Sequence, residues 1–372
     1  MKIAFLAHKL FDQRAGAALC TAFRDLGHHA AVVDRCEQNF DVVIEACHAR
    51  SEATPKDAVH IAWVQEYYAG GSDPDYDDCF DRDLIYTFGK PEIISCPRFK
   101  HWRGSLCMAV EPQLLDRPMV EPTLDFSIAG FIGAPAWFKK QSELPAKLEP
   151  GHGYNIMAEL MDLIVRETRV KPLTGSFDQA AEFAYFKDIL AKYLNDSWFV
   201  PPKVRPSLYG VAAQNIHETA RTLNRYTVAK LILQVSKNIE FRGLHWDCWP
   251  ELADYAKPFT DDREGLFDLY QRSRINVHDN IFGFAMHSRV LEAMAVGGFI
   301  MANESPHYGA AGQMTETFEP GIHFGQYNAQ TFVPEAQYWL KADRSKPVAK
   351  ARKIIATRHL WKHRAEQILG DL

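Results

Sequence analysis

The side chains best suited to chemistry are concentrated in SRINVHDNIFGFAMHSRVLEAMAVGGFIMANESP, residues 273–306. Ile275 to Val277 reads as a short apolar strand that ends in His278, Asp279 and Asn280. The chain then passes through Phe282, Gly283 and Phe284 to His287, Ser288, Arg289 and Glu292. Val290, Leu291, Met294 and Ala295 recur with helical spacing, and Ser288 stands where an N-cap is expected. A helix therefore begins just beyond the end of a strand, where open parallel sheets bind ligands. Its first amides and positive dipole end suit an anion. Arg289 in the first turn opposes that dipole unless an anion neutralises both. The competing reading is an ordinary i,i+3 pair between Arg289 and Glu292, worth about 0.2–0.5 kcal/mol.

Other stretches are weaker candidates. In EFRGLHW (240–246) a strand ends in Arg242, Gly243, His245 and Trp246; the tryptophan reads as core packing, with stacking on a base as the rival. DFSIAGFIGAPAWFKK (125–140) ends a buried strand in Gly130 and Gly133, followed by Lys139 and Lys140. Glycines there allow close backbone approach to phosphate. The first strand-to-helix turn, AFLAHKLFDQRAGAAL, holds one glycine, Gly16, where a dinucleotide site needs G-x-G-x-x-G. That removes the main support for a dehydrogenase. The D-x-D spacings at Asp73/Asp75 and Asp75/Asp77 lie among turn formers and read as a solvated loop. No metal site is expected.

The elements that would carry these residues form two series. Strand-like runs at 2–8, 29–34, 40–47, 59–68, 83–89 and 105–112 alternate with helical segments. Nearly continuous apolar strands of this kind predict a parallel sheet covered on both faces. A proline-bearing stretch, 114–130, leads into a second α/β series with strands at 125–133, 239–246, 274–279 and 299–303 and a helix over about 213–236. The expected domains are 1–120, 121–345 with a helical insertion at about 140–210, and a terminal basic amphipathic helix over 346–372. Three prolines in SWFVPPKVRPS break the pattern inside the insertion.

Composition narrows the partners. The 372 residues are 47% hydrophobic, with a net charge of 42 − 47 = −5. This gives no global field for nucleic acid or anionic membrane. The apolar run in MKIAFLAHKLF is too short for a signal peptide, and no apolar stretch approaches the roughly 20 residues that span a bilayer. Seven cysteines occur without a C-x-x-C pair, as expected of free thiols in a cytoplasmic protein.

The segments LYQRSRINVHDN and HSRVLEAMAVGGFIMANESP, and more loosely GAAGQMTETFEPGIHF, resemble the signature of two-domain GT-B glycosyltransferases. The likeness is to the branch with retaining, group-1 (family-4-like) C-terminal domains that includes the CgeB-like spore-maturation proteins. It is specific over about 262–325 and architectural over 1–120. The resemblance implies two Rossmann-like domains facing a cleft, an α/β fold, and a C-terminal helix that crosses back onto the first domain. It implies metal-independent transfer, with retention, of a sugar from a nucleotide-sugar donor on the second domain to an acceptor on the first. The donor expected is UDP- or GDP-linked, with no separate cofactor. The acceptor (small molecule, glycan, protein or nucleic acid) is left open.

In such enzymes the glutamate matching Glu292 receives hydrogen bonds from the donor ribose. Arg289, Ser288 and Gly133 would then face the diphosphate, and Arg242 and His245 would lie nearby. Many relatives carry a second glutamate eight residues before Glu292, where this chain has Phe284; Asp279, Asn280 and His287 are the available substitutes. His8, at the end of the first strand, and Asp279 are the candidate catalytic residues. The alternatives are a nucleotide-sugar epimerase and a non-catalytic nucleotide-sugar-binding protein. Activity on donor alone would mark the first, and binding without turnover the second.

Overall fold

A computed structural model of the chain describes residues 1–8, 10–36, 39–50, 52, 54–65, 76, 79–91, 99–133, 160, 163–164, 166–167, 169, 171–173, 179–196, 205–259, 262–279 and 286–372. Two parallel sheets of six strands organise them. The first contains β1 (Lys2–Leu6), β2 (His29–Val33), β3 (Val42–Ala46), β4 (Val59–Val64), β5 (Leu84–Thr87) and β6 (Trp102–Ser105), in the order β2-β1-β3-β4-β5-β6. The second contains β7 (Leu124–Ala129), β8 (Ile239–Arg242), β9 (Ala256–Lys257), β10 (Ser273–His278), β11 (Ile300–Asn303) and β12 (Gly325–Tyr327), in the order β12-β11-β10-β7-β8-β9. In each sheet the strand order reverses once beside the first strand, between β1 and β3 and between β7 and β10. A crevice forms beyond the strand ends at such a reversal.

Both faces of the sheets are covered, which is why their strands read as continuous apolar runs. Helix α1 (Leu10–Asp25) packs on the first sheet. Gly16, the one glycine of the first turn segment, serves packing. It lies inside α1 over Phe5, and a Cβ there would come within 2.4 Å of the ring. Helix α2 (Gln179–Asp196) packs on α3 (Arg205–Val235), and the second sheet carries α3, α4 (Arg263–Arg272), α5 (Ser288–Ala295) and α6 (Phe332–Lys341). Helix α3 is longer than the expected 213–236. Pro206 sits in its first turn, where a missing amide costs no helical bond. Leu160, Leu163 and Ile164 pack with α2 and α3 in an apolar cluster separate from both sheets.

The expected strand at 105–112 is corrected. The sixth strand is Trp102–Ser105, and Leu106 to Val110 run on as buried chain towards the second domain. The terminal basic segment is two helices rather than one, α7 (Ser345–Arg358) and α8 (Trp361–Asp371). At the break, Val110 N–H donates to His359 O at 2.9 Å and Trp361 N–H donates to Val110 O at 3.3 Å. This short parallel bridge ties the chain end to the interdomain passage. Helix α8 then packs on α1, while α7 packs on α5. The chain therefore returns to its first domain as expected. No helix among the described residues is long and apolar enough to cross a membrane.

Candidate donor site

The reversal between β7 and β10 brings together most of the residues picked from the sequence. Beyond β7 stand Gly130 and Phe131; beyond β10 stands Asp279, and α5 begins at Ser288. Close approach explains the glycine. Gly130 has φ +146°, and a Cβ there would lie 2.5 Å from Arg289 Nη1. Gly243, at φ +149° beyond β8, would drive its Cβ to 2.1 Å from Gly130 O. Both chains leave the sheet in contact because neither has a side chain at that point.

Arg289 does not pair with Glu292. Its Nη1 donates to Ala129 O at 2.6 Å, and its Nε donates to His287 Nδ1 at 3.3 Å. Among the described residues no carboxylate lies within ion-pair distance of it. Burial, then the charge of Arg225, pushes its pKa down to about 10. It remains a cation at neutral pH in surroundings that oppose cations. The N-cap of α5 is His287 rather than Ser288: its Nδ1 also accepts from Arg289 N–H at 3.3 Å. An accepting Nδ1 means a neutral ring. Burial first, then Arg289, holds the His287 pKa well below the ordinary value and brings buried His278 down to about 3. His278 Nδ1 makes no hydrogen bond.

Helix α3 supplies cations absent from the sequence-based set. Arg225 Nε donates to both oxygens of Asp279, at 2.9 and 3.1 Å, and Arg225 Nη1 donates to Phe131 O. The two side chains are 5% and 3% exposed, so this is a buried pair. Burial by itself would raise the Asp279 pKa, but Arg225, His278 and Arg289 lower it. Asp279 is thus the counter-ion of Arg225. One turn earlier, Arg221 pairs with Glu218 at 3.2 Å. The Phe131 ring lies over both arginines, 4.9 and 5.4 Å from their guanidinium carbons. Their spacing along α3 is a signal, but α3 lies well before the motif in sequence.

Glu292 lies one turn inside α5 with its side chain 14% exposed. Its Oε1 accepts from Arg263 Nη2 at 2.9 Å, and Arg263 Nη1 donates to Glu111 Oε1 at 2.9 Å. Burial raises the Glu292 pKa, and Arg263 opposes that rise. The other residues are more occupied. Gly133 N–H donates to Thr222 Oγ1 at 3.1 Å, so that amide is not turned to a ligand. Arg242 is bound to Glu240 and to Gly265 O. His245, at φ +70°, caps a short 3-10 turn. Trp246 is core, as expected: it stacks on Phe241 at 4.7 Å and donates to Gly130 O at 2.6 Å. Asn280, Phe282, Gly283, Phe284, Lys139, Lys140 and the three D-x-D aspartates lie outside the described residues.

His8 stands apart, beyond β1 at the other reversal, with Nε2 3.4 Å from Glu45 Oε2. Burial would raise the Glu45 pKa, but His60 and His8 hold it below the usual value. Glu45 and His60 were missed, although a glutamate and a histidine inside apolar strands (VVIEA and VHIAWV) are unusual enough to notice.

Residues 215–370 match the family model described as glycosyl transferase-like. The second half of the chain thus carries a glycosyl transferase-like domain, and the two sheets form a GT-B fold. The chain is similar in fold to Anabaena Alr3699/HepE in complex with UDP-glucose, with TM-score 0.52, 12% identity, and cover of 100% of this chain and 98% of that one. The same protein in complex with UDP and glucose gives TM-score 0.50 at 11% identity, with the same cover. A glycosyltransferase from Rickettsia africae ESF-5 gives TM-score 0.47 at 12% identity, covering 99% of this chain and 97% of the other. No curated protein matches the sequence.

Proposed function

We propose that the chain is a glycosyltransferase that takes a UDP- or GDP-linked sugar in the crevice between β7 and β10 and transfers it, with retention, to an acceptor held against the first domain. The observation that carries the reading is Arg289, a half-buried cation with no carboxylate partner among the described residues, beside Arg225 and the first amides of α5. A diphosphate supplies the missing negative charge. It accepts charge-assisted hydrogen bonds, and as a leaving group it is stabilised by groups already in place. On the donor side the arginines serve where other enzymes use a metal. Asp279 acts by holding Arg225 rather than by moving a proton. The UDP and UDP-glucose bound by the Anabaena protein favour a UDP-linked donor.

Glu292 is assigned to the ribose, with Arg263 holding its carboxylate in place. A thermal-shift comparison of UDP, GDP, TDP and CMP selects the base, because a bound ligand stabilises by mass action. Calorimetry with that nucleotide sugar then tests the assignment. Glu292→Ala should weaken binding about 10- to 100-fold, as expected for hydrogen bonds to a charged group worth about 1.5–3 kcal/mol. Unchanged affinity would remove Glu292 from the site.

A second reading is transfer with inversion, favoured by the contact between His8 and buried Glu45, which suits a general base held by a carboxylate. Proton NMR of the first-formed product decides between them. The donor's own anomeric configuration is the expected result. The opposite anomer would make His8 the base.

A further inference from the structure

The reversal between β1 and β3 gathers a second set of groups. His8 follows β1, Glu45 lies near the end of β3, and His48 follows β3 after Cys47, which sits at φ +57°. The rings of His8 and His48 have centroids 3.8 Å apart. One potential ligand atom from each of His8, Glu45 and His48 lies within 4.8 Å of the other two. Glu45 is 1% exposed, and among the described residues no arginine or lysine pairs with it. A buried carboxylate requires charge or donors around it. Behind it is His60, 2% exposed, whose Nε2 points at Glu45 Oε1 from 3.7 Å and makes no hydrogen bond.

We propose that His8, Glu45 and His48 form a binding site for a divalent transition-metal ion of the zinc class, with His60 supporting Glu45 from behind. Two imidazoles and a carboxylate select Zn²⁺ and its first-row neighbours over Mg²⁺ or Ca²⁺, which prefer oxygen. Metal–ligand bonds of about 2.0–2.1 Å in a tetrahedron put neighbouring ligand atoms about 3.4 Å apart. His8 Nε2 and Glu45 Oε2 already stand at 3.4 Å. A small movement of the half-buried His48 closes the set. Three protein ligands leave a fourth position for water or an acceptor oxygen, on the side where His8 is exposed. The two oxygens of Glu45 divide the work: Oε2 faces the ion, while Oε1 faces His60 and Thr54. Outer partners of this kind orient metal-binding carboxylates. His8 Nε2 cannot both hold the ion and accept a proton, so occupancy would exclude the base role. The site stands whether or not the donor assignment holds.

The test is metal titration of the full-length, tag-free protein after chelation. Calorimetry should show one equivalent of Zn²⁺ or Co²⁺ bound. The Co²⁺ form should show visible d–d absorption of a low-coordinate nitrogen and oxygen site, without a thiolate charge-transfer band. His48→Ala and Glu45→Gln should each lose more than about 100-fold in affinity, beyond the 10–100-fold typical of an outer partner and expected for His60→Ala. Glu45 is buried, so its variant requires a folding check. His48 is half-buried, and nucleotide binding by its variant should be unchanged. Failure of metal to bind at micromolar concentration, a thiolate band, or undiminished affinity in His48→Ala would each overturn the proposal.

Discussion

Arg289→Ala should lower kcat/KM for the nucleotide sugar about 100- to 1,000-fold, the effect of removing one preorganised donor from a charge-developing site, or about 2.7–4 kcal/mol. The guanidinium is held in advance by Ala129 O and His287 Nδ1, so no reorganisation is needed when charge builds on the leaving diphosphate. Most of the loss should fall on kcat, because that charge is greatest in the transition state. Stability should move the other way. Burial and the neighbouring Arg225 already disfavour the cation, so the ligand-free variant should melt at the parent temperature or above it. Lysine should rescue only in part, since it lacks the planar fork that reaches two acceptors. Steady-state kinetics and a melting curve together check the result. Parent-like kinetics in the alanine variant would place the diphosphate elsewhere.

Asp279→Asn should destabilise the ligand-free protein by about 3–5 kcal/mol, the usual consequence of removing one partner from a buried ion pair. It would leave Arg225 uncompensated beside Arg289. An anion at the same place would repair much of the deficit. UDP at about 100 times its dissociation constant should restore about 2.7 kcal/mol, whereas uridine, lacking phosphate, should restore less at the same concentration. Thermal melts of parent and variant with each ligand measure both effects. A variant as stable as the parent without ligand would show that the Arg225–Asp279 pair does not hold the crevice together.

Much of the frame was legible in the sequence because strand and helix periodicity is local. The runs at KIAFL, VVIEA and FSIA are mostly apolar, as expected of strands buried on both faces. The failure at 105–112 has the same origin. Leu106 to Val110 are apolar because they lie in the core with Trp361 and Ile368, and burial by helices looks the same in sequence as burial inside a sheet. The true edge strand, WRGS, is partly exposed and shows no apolar run.

The sequence by itself determined the two α/β series and the strand–loop–helix unit around 273–306, since each depends on residues within a turn or two of one another; the return of the chain end followed from the family resemblance alone. Which charges meet was decided by tertiary structure. Arg263 reaches Glu292 from 29 residues away, Arg225 reaches Asp279 from 54, and Arg289 reaches the carbonyl of Ala129 from 160. Arg289 and Glu292, three residues apart, point to different partners because α5 stands between a crevice on one side and α4 on the other. Burial then sets the value of each charge: Arg289 becomes a cation in want of an anion, and Asp279, a catalytic candidate in the sequence, becomes the counter-ion of a buried arginine.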